Sequence, residues 1–220
     1  MNLPEELRKI ALEQSQNFPP EQLAQINQEI ENLRLSGLIQ KSLQVNDQSP
    51  DFTLVNAATE ELVQLEQVRQ TGAVVLSFFR GAWCPYCSLE LIAMEEILPT
   101  ILNLKATLLS ISPEISRRSR AAAREKNFSH PILVDNGNQV ARQFGIVHQV
   151  EKVLREIYHN FGVSLPLFNG DETYELPVPA TFIIDRQGVI AYRFVDPDYT
   201  KRVDPVEIIT VLRQLKDNQV

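Results

Sequence analysis

The sequence has almost no cysteine. Two occur in 220 residues, Cys84 and Cys87, so no disulfide framework braces the chain. Histidine is scarce too: His130, His148 and His159 are the only three. None makes a second ligand pair at usual spacing, and a structural zinc site wants four Cys or His ligands. No metal centre and no cofactor is expected, and the histidines read as surface or cap residues. The glycine-rich GK[ST] loop, GxSxG and HExxH are all missing. Long hydrophobic runs are missing as well. The longest, AVVLSFF at 73–79, falls far short of a membrane span of about 20 residues. The first residues, MNLPEELRKI, are charged and helix-like and do not resemble a signal peptide. A cytoplasmic setting is the expectation. Cations are in deficit, 21 Lys and Arg against 28 Asp and Glu, for a net charge of −7. Nucleic acid and anionic membranes are therefore poor partners. The cluster Arg117, Arg118, Arg120, Arg124 and Lys126 reads as a solvated helix face.

What is present suits a globular chain: 44% hydrophobic and 22% charged residues support a sizeable core. Two units are expected. Residues 1–45 read as a helical hairpin, with Leu3, Leu7, Ile10 and Ala11 on one helix face and Leu23, Ile26, Ile30 and Leu33 on the other. Pro20 suits a first helical turn, and Ser36-Gly37 suits a stop. The hairpin can wrap the main unit or form a homodimer contact. Residues 46–220 alternate strands and helices. Strands are expected at 73–79, 106–112, 131–135 and within ATFIID and VIAYRFV, and helices at 85–98, 138–144 and 204–216. The last helix presents Val206, Ile209, Leu212 and Leu215. The stretch 145–178 reads as an insertion holding one helix and a long loop. The fold class is α/β, a mixed sheet flanked by helices.

The cysteine pair sits where the buried strand 73–79 gives way to a helix, in FFRGAWCPYCSLEL. Three readings compete: a redox centre, half a metal site, or two unrelated core thiols. The strand–CxxC–helix placement favours redox chemistry of the thioredoxin-like kind. A thiolate is the reactive species, and a helix N-terminus favours an anion. Cys84 would stand at that terminus ahead of Pro85, with Cys87 one turn on. In CxxC pairs the first cysteine is typically the exposed attacker and the second the resolving thiol. Arg80 is placed to add positive charge near Cys84, and Trp83 to shape the surface beside it.

These residues carry a resemblance. SPDFTL (49–54), VVLSFFRGAWCPYCSLEL (74–91), LLSISPE (108–114), ARQFGI (141–146) and LPVPATFIIDRQGVI (176–190) are similar to segments of the AhpC/TSA superfamily. That group comprises peroxiredoxins and thiol–disulfide oxidoreductases on the thioredoxin fold. The bacterial branch carrying RGxWCPYC is the nearest in pattern. The resemblance implies an antioxidant thiol oxidoreductase. Cys84 would reduce a hydroperoxide, Cys87 would close a disulfide, and thioredoxin or another dithiol would reopen it. It also implies a cis-proline facing the CxxC, which falls at Pro179. One departure stands out. Typical members carry PxxxTxxC, whose Thr and an Arg polarise the peroxide, and here Gly81 occupies the Thr position. Three functions remain open: a peroxidase, a disulfide oxidoreductase with protein or small disulfides as substrate, and a non-catalytic redox-sensing module.

Overall fold

The computed structural model describes residues 1–217; residues 218–220, the end of the second unit read from sequence, lie outside the described residues. The chain opens with helices α1 (Leu3–Asn17), α2 (Pro20–Leu35) and α3 (Leu38–Lys41). Strands β1 (Thr53–Asn56) and β2 (Leu62–Gln64) and helix α4 (Leu65–Arg69) follow, then β3 (Val74–Phe78) and α5 (Pro85–Asn103). Next come β4 (Thr107–Ser112), α6 (Ser116–Lys126), β5 (Ile132–Val134) and α7 (Gln139–Gln143). The stretch β6 (Val147–Gln149), α8 (Lys152–Asn160), α9 (Leu165–Asn169) and β7 (Glu175–Pro177) precedes β8 (Ala180–Ile184), β9 (Ile190–Val195) and α10 (Pro205–Asp217).

Seven strands form one sheet in the order β2-β1-β5-β4-β3-β8-β9. β3 lies at its heart, parallel to β4 and antiparallel to β8, with Phe78 opposite both Ile111 and Ala180. All five β3 residues are buried, as expected of a strand covered on both faces. Alternation sorts its side chains. Val74, Leu76 and Phe78 join Phe144 and Phe182 on one face, while Val75 joins Met94, Ile101 and Leu212 on the other. The second face lies beneath α5 and α10.

The hairpin packs on this body. Leu3 and Leu7 of α1 join a cluster with Phe79, Tyr86 and Leu91, and Ile26 of α2 joins Leu154 and Ile157 of α8. Asn2 caps α1 by accepting the Glu5 N–H at 3.3 Å.

Four sequence expectations need correction. α5 does not stop at residue 98; it continues through Pro99 to Asn103, because fully buried Ile101 anchors the last turn. The buried face of α10 is Ile208 and Leu212, whereas Val206 is 69% exposed. Residues 145–178 are not mostly loop: β6 and β7 pair antiparallel across the insertion, enclosing α8 and α9. Finally, no cis peptide bond occurs among the described residues, so Pro179 is not the expected cis-proline. The Val178 N–H donates to the Ile146 carbonyl at 2.8 Å, which holds an extended crossing from β7 into β8. Pro179 is buried just ahead of β8, where a missing N–H costs nothing to the ladder. Among the described residues no helix is long and apolar enough to cross a membrane.

Candidate active site

β3 ends at Phe78 and delivers Phe79 and Arg80 to a short loop that enters α5 at Cys84. The loop is held from below by Glu114, whose side chain is fully buried. Its carboxylate accepts the Ala82 N–H at 2.7 Å and the Arg118 Nε–H at 3.0 Å. Gly81 makes the turn with φ +155°. A Cβ there would come within 2.2 Å of Trp83 Nε1 and 2.9 Å of the Glu114 carboxyl carbon. The absent threonine is thus a steric necessity of this loop. Gly81→Ala should cost about 1–3 kcal/mol through overpacking, read as a lower urea midpoint with unchanged m-value.

Cys84 is the N-cap of α5, Pro85 opens the first turn, and the Ser88 N–H closes on the Cys84 carbonyl at 3.0 Å. Both thiols are free and wholly buried. Cys84 is therefore not the exposed attacker that the sequence suggested; α1, α8 and the loop after β9 cover it. Arg80 is buried as well. It is 5% exposed, and its Nη2 donates to Cys84 Sγ at 3.0 Å while Nη1 donates to the Tyr158 hydroxyl at 2.9 Å. The guanidinium lies 4.1 Å from the centre of the Tyr199 ring and 5.1 Å from that of Trp83. Trp83, half-buried, tilts against Tyr158 at 5.4 Å between ring centres.

Four further residues escaped the sequence reading. Tyr158 and Tyr199 enclose Arg80. Arg202, in the segment after β9, donates from Nη2 to Cys87 Sγ at 3.2 Å and from Nε to Glu90 at 2.5 Å. Arg202 lies 115 residues from Cys87, and nothing local marks it. Glu90 did leave a signal: it falls on the buried stripe of α5 with Cys87, Leu91 and Met94, where a carboxylate needs a partner.

The electrostatics separate the two thiols. Burial alone would raise the Cys84 thiol. Hydrogen bonding from Cys87 and the charges of Arg80 and Arg202 outweigh it and hold Cys84 well below its ordinary 9.0. Burial and the neighbouring Cys84 charge push Cys87 well above that value. Of the two thiols, Cys84 is the one drawn toward its anionic form and Cys87 the one that keeps its proton.

The histidines bond neither sulfur, and two are not surface residues. His130 is 4% exposed and bonds Glu95 at 2.6 Å. Half-buried His148 is driven down to about 4 by burial and by Arg80, so it stays neutral at physiological pH. His159 is exposed. Among the described residues no three His, Cys, Asp or Glu side chains gather as metal ligands.

A cleft of about 440 Å³ opens over the site. Ile10, Phe18 and Ile26 of the hairpin form one wall and Ile157 and Phe161 another, with Arg80, Trp83 and Pro85 toward the floor. Phe18 and Phe161 meet across it at 4.7 Å. Arg80 Nε and Trp83 Nε1 are buried there without a partner. The Tyr86 hydroxyl donates to Gln14 of α1 at 3.0 Å, tying the hairpin to the cysteine helix.

The sequence model of the AhpC/TSA family matches residues 45–193, which includes both cysteines but neither α1, α2 nor Arg202. A Haemophilus influenzae protein whose name places it among the peroxiredoxins (bcp) is 30% identical over 104 residues, 47% of this chain and 66% of its own length. The thiol-disulfide oxidoreductase ResA of Bacillus thuringiensis is 17% identical over 152 residues, 69% of each chain. The crystal structure of peroxidoxin BcpB from Mycobacterium tuberculosis superimposes with a TM-score of 0.61 at 21% identity, over 78% of this chain and 97% of that one.

Proposed function

The chain belongs to the AhpC/TSA family, and from that premise we propose that it is a thiol peroxidase of the branch marked by RGxWCPYC. The observation that carries the reading is the Cys84 sulfur at a helix cap, held as a thiolate by Arg80 at 3.0 Å. The thiolate attacks the terminal oxygen of a hydroperoxide. The O–O bond breaks, Cys84 becomes a sulfenic acid, and the departing alkoxide takes a proton and leaves as an alcohol. The Cys87 thiol then attacks the Cys84 sulfur. The S–S bond forms, the S–O bond breaks, and water departs with the Cys87 proton. A dithiol reductant of the thioredoxin type restores both thiols. The reaction belongs in the reducing cytoplasm, where such donors are maintained.

Two groups stand in for the threonine that Gly81 replaces. Arg80 Nε–H is buried without a partner and the Tyr158 hydroxyl, which accepts from Arg80 Nη1, keeps its own proton to donate; these two groups would supply hydrogen bonds to the peroxide oxygens. The apolar walls favour a hydroperoxide bearing an alkyl or aryl group. Stopped-flow oxidation of the reduced protein tests this. Cumene hydroperoxide should react faster than hydrogen peroxide, and both far faster than with free cysteine. Rates no better than free cysteine would sink the peroxidase reading.

A second reading, disulfide exchange on protein or small disulfides, is favoured by the complete CxxC and by the likeness to ResA. Against it stands the burial of both sulfurs: a small hydroperoxide can enter by the cleft, whereas a protein partner, substrate or dithiol donor alike, reaches them only when the covering elements shift. An insulin-reduction assay run beside the peroxide assay separates the two. Disulfide turnover without peroxide consumption would favour the second.

A further inference from the structure

Arg202 lies outside the family-matched segment, and although its charge helps to lower Cys84, its contact is with the other thiol, Cys87. It is nevertheless built in firmly. Its side chain and that of Glu90 are each 1% exposed. Besides Cys87 and Glu90, it donates to the Tyr199 carbonyl at 2.5 Å and the Lys201 carbonyl at 2.6 Å. A buried ion pair is a weak source of stability, because desolvation offsets the attraction. Its placement against a redox-active sulfur calls for another account.

The charges facing the cysteine pair can be counted. Arg80 comes from the end of β3, Arg202 from the segment after β9, and Glu90 from α5. Tyr86, Tyr158 and Tyr199 are all raised by burial and stay neutral, as does His148 on β6. Asp198 acts on the outer side, through Tyr86, and Glu114 beneath the loop is neutralised by Arg118. Two buried cations and one buried carboxylate leave one positive charge. The Cys84 thiolate cancels it. In the disulfide there is no thiolate, and the buried positive charge is uncompensated. Such a charge is costly away from water, so the oxidised form is the one penalised.

We propose that the Arg202–Glu90 pair sets the reduction potential of the Cys84–Cys87 couple, Arg202 drawing it toward the dithiol and Glu90 pulling it back. The inference rests on the reading that this pair cycles between dithiol and disulfide. Against glutathione the balanced step is protein disulfide plus two glutathione thiols giving Cys84 thiolate, Cys87 thiol, glutathione disulfide and one proton. When the incoming thiol attacks Cys84, Cys87 leaves as a thiolate beside Arg202, so the same contact that shifts the equilibrium also eases the leaving group.

The test is equilibration of the full chain with glutathione buffers of graded ratio, with the disulfide fraction read by thiol alkylation and mass. Arg202→Met removes the cation that Cys87 faces. It should shift the equilibrium toward the disulfide by tenfold or more, about 30 mV lower in potential. Glu90→Gln keeps the shape and removes the opposing charge, so it should shift the equilibrium the other way. The double variant restores the wild-type charge balance and should return close to the wild-type midpoint. A merely structural role predicts shifts of one sign that accumulate. Same-sign shifts, or midpoints that move less than threefold in both single variants, would overturn the proposal. Should Arg202→Met fail to fold, Glu90→Gln decides alone: a raised potential supports the assignment and an unchanged or lowered one defeats it. A wild-type chain that forms no disulfide at any ratio would instead defeat the cycling reading beneath it.

Discussion

Cys84→Ser should bring peroxide consumption down to the rate without enzyme and remove disulfide turnover as well. A serine hydroxyl at the α5 cap does not ionise near neutral pH, and the cations that serve the thiolate have no anion to hold. The loss is chemical and not structural, because the oxygen replaces sulfur in a site already lined with donors. Circular dichroism and the urea midpoint should therefore stay near wild type. Cys87→Ser should behave differently. The first oxidation proceeds, since the Cys84 thiolate and Arg80 are intact, and the sequence then halts at the sulfenic acid. One equivalent of peroxide is consumed, and a sulfenic-acid reagent labels Cys84. Multiple turnovers by Cys87→Ser with a dithiol donor present would show that Cys87 is not the resolving thiol.

Arg80→Met should produce the second large loss. Burial alone would raise the Cys84 thiol, and Arg80 is the nearest of the cations that reverse it. Each unit of upward shift lowers the thiolate fraction about tenfold at a pH below the thiol value. With its contacting cation gone, Cys84 should lose about ten- to a hundredfold in rate near pH 7. Much of that should return as the pH is raised, since the Cys87 hydrogen bond and the Arg202 charge still favour the thiolate. Arg80→Lys keeps the charge but not the two-pronged geometry, so it should keep the wild-type pH profile better than methionine does. A rate loss in Arg80→Met that is the same at every pH would refute the thiolate role.

Stability follows the same sign. The folded Cys84 thiol lies below its ordinary 9.0, so between the two values the unfolded chain binds more protons. Its contribution to reduced-state stability is full above 9.0 and is lost as the pH falls through the folded value. Arg80→Met should flatten that dependence in thermal melts.

The parts of the fold that sequence disclosed are those with dense patterns. β3 and β4 are runs of buried aliphatic residues, α5 carries an apolar stripe, and Asp185–Gly188 is a strong turn signal between β8 and β9. The short elements β2, β6, β7 and α9 span only three to five residues, too few for any period to emerge. β6 and β7 exist only because distant residues pair, with Val147 opposite Pro177. At the site, the cysteines and Arg80 were readable from local spacing. Arg202, Tyr158 and Tyr199 were not, since they arrive from other parts of the chain to enclose the pair. The covering of Cys84 was likewise invisible, because it depends on where α1 and α8 come to rest.

Cys84 and Cys87 occupy the cap and third position of the same helix turn, where side chain and backbone already approach one another. On the proposed cycle, closing a disulfide between them would ask for side-chain rotation at the cleft floor and no unwinding of α5. Rigidity of the scaffold and speed of turnover are thus placed in different parts of the molecule. A variant with a tighter core beneath α5 should gain heat resistance without becoming sluggish, a combination denied to catalysts whose reacting groups must travel to meet.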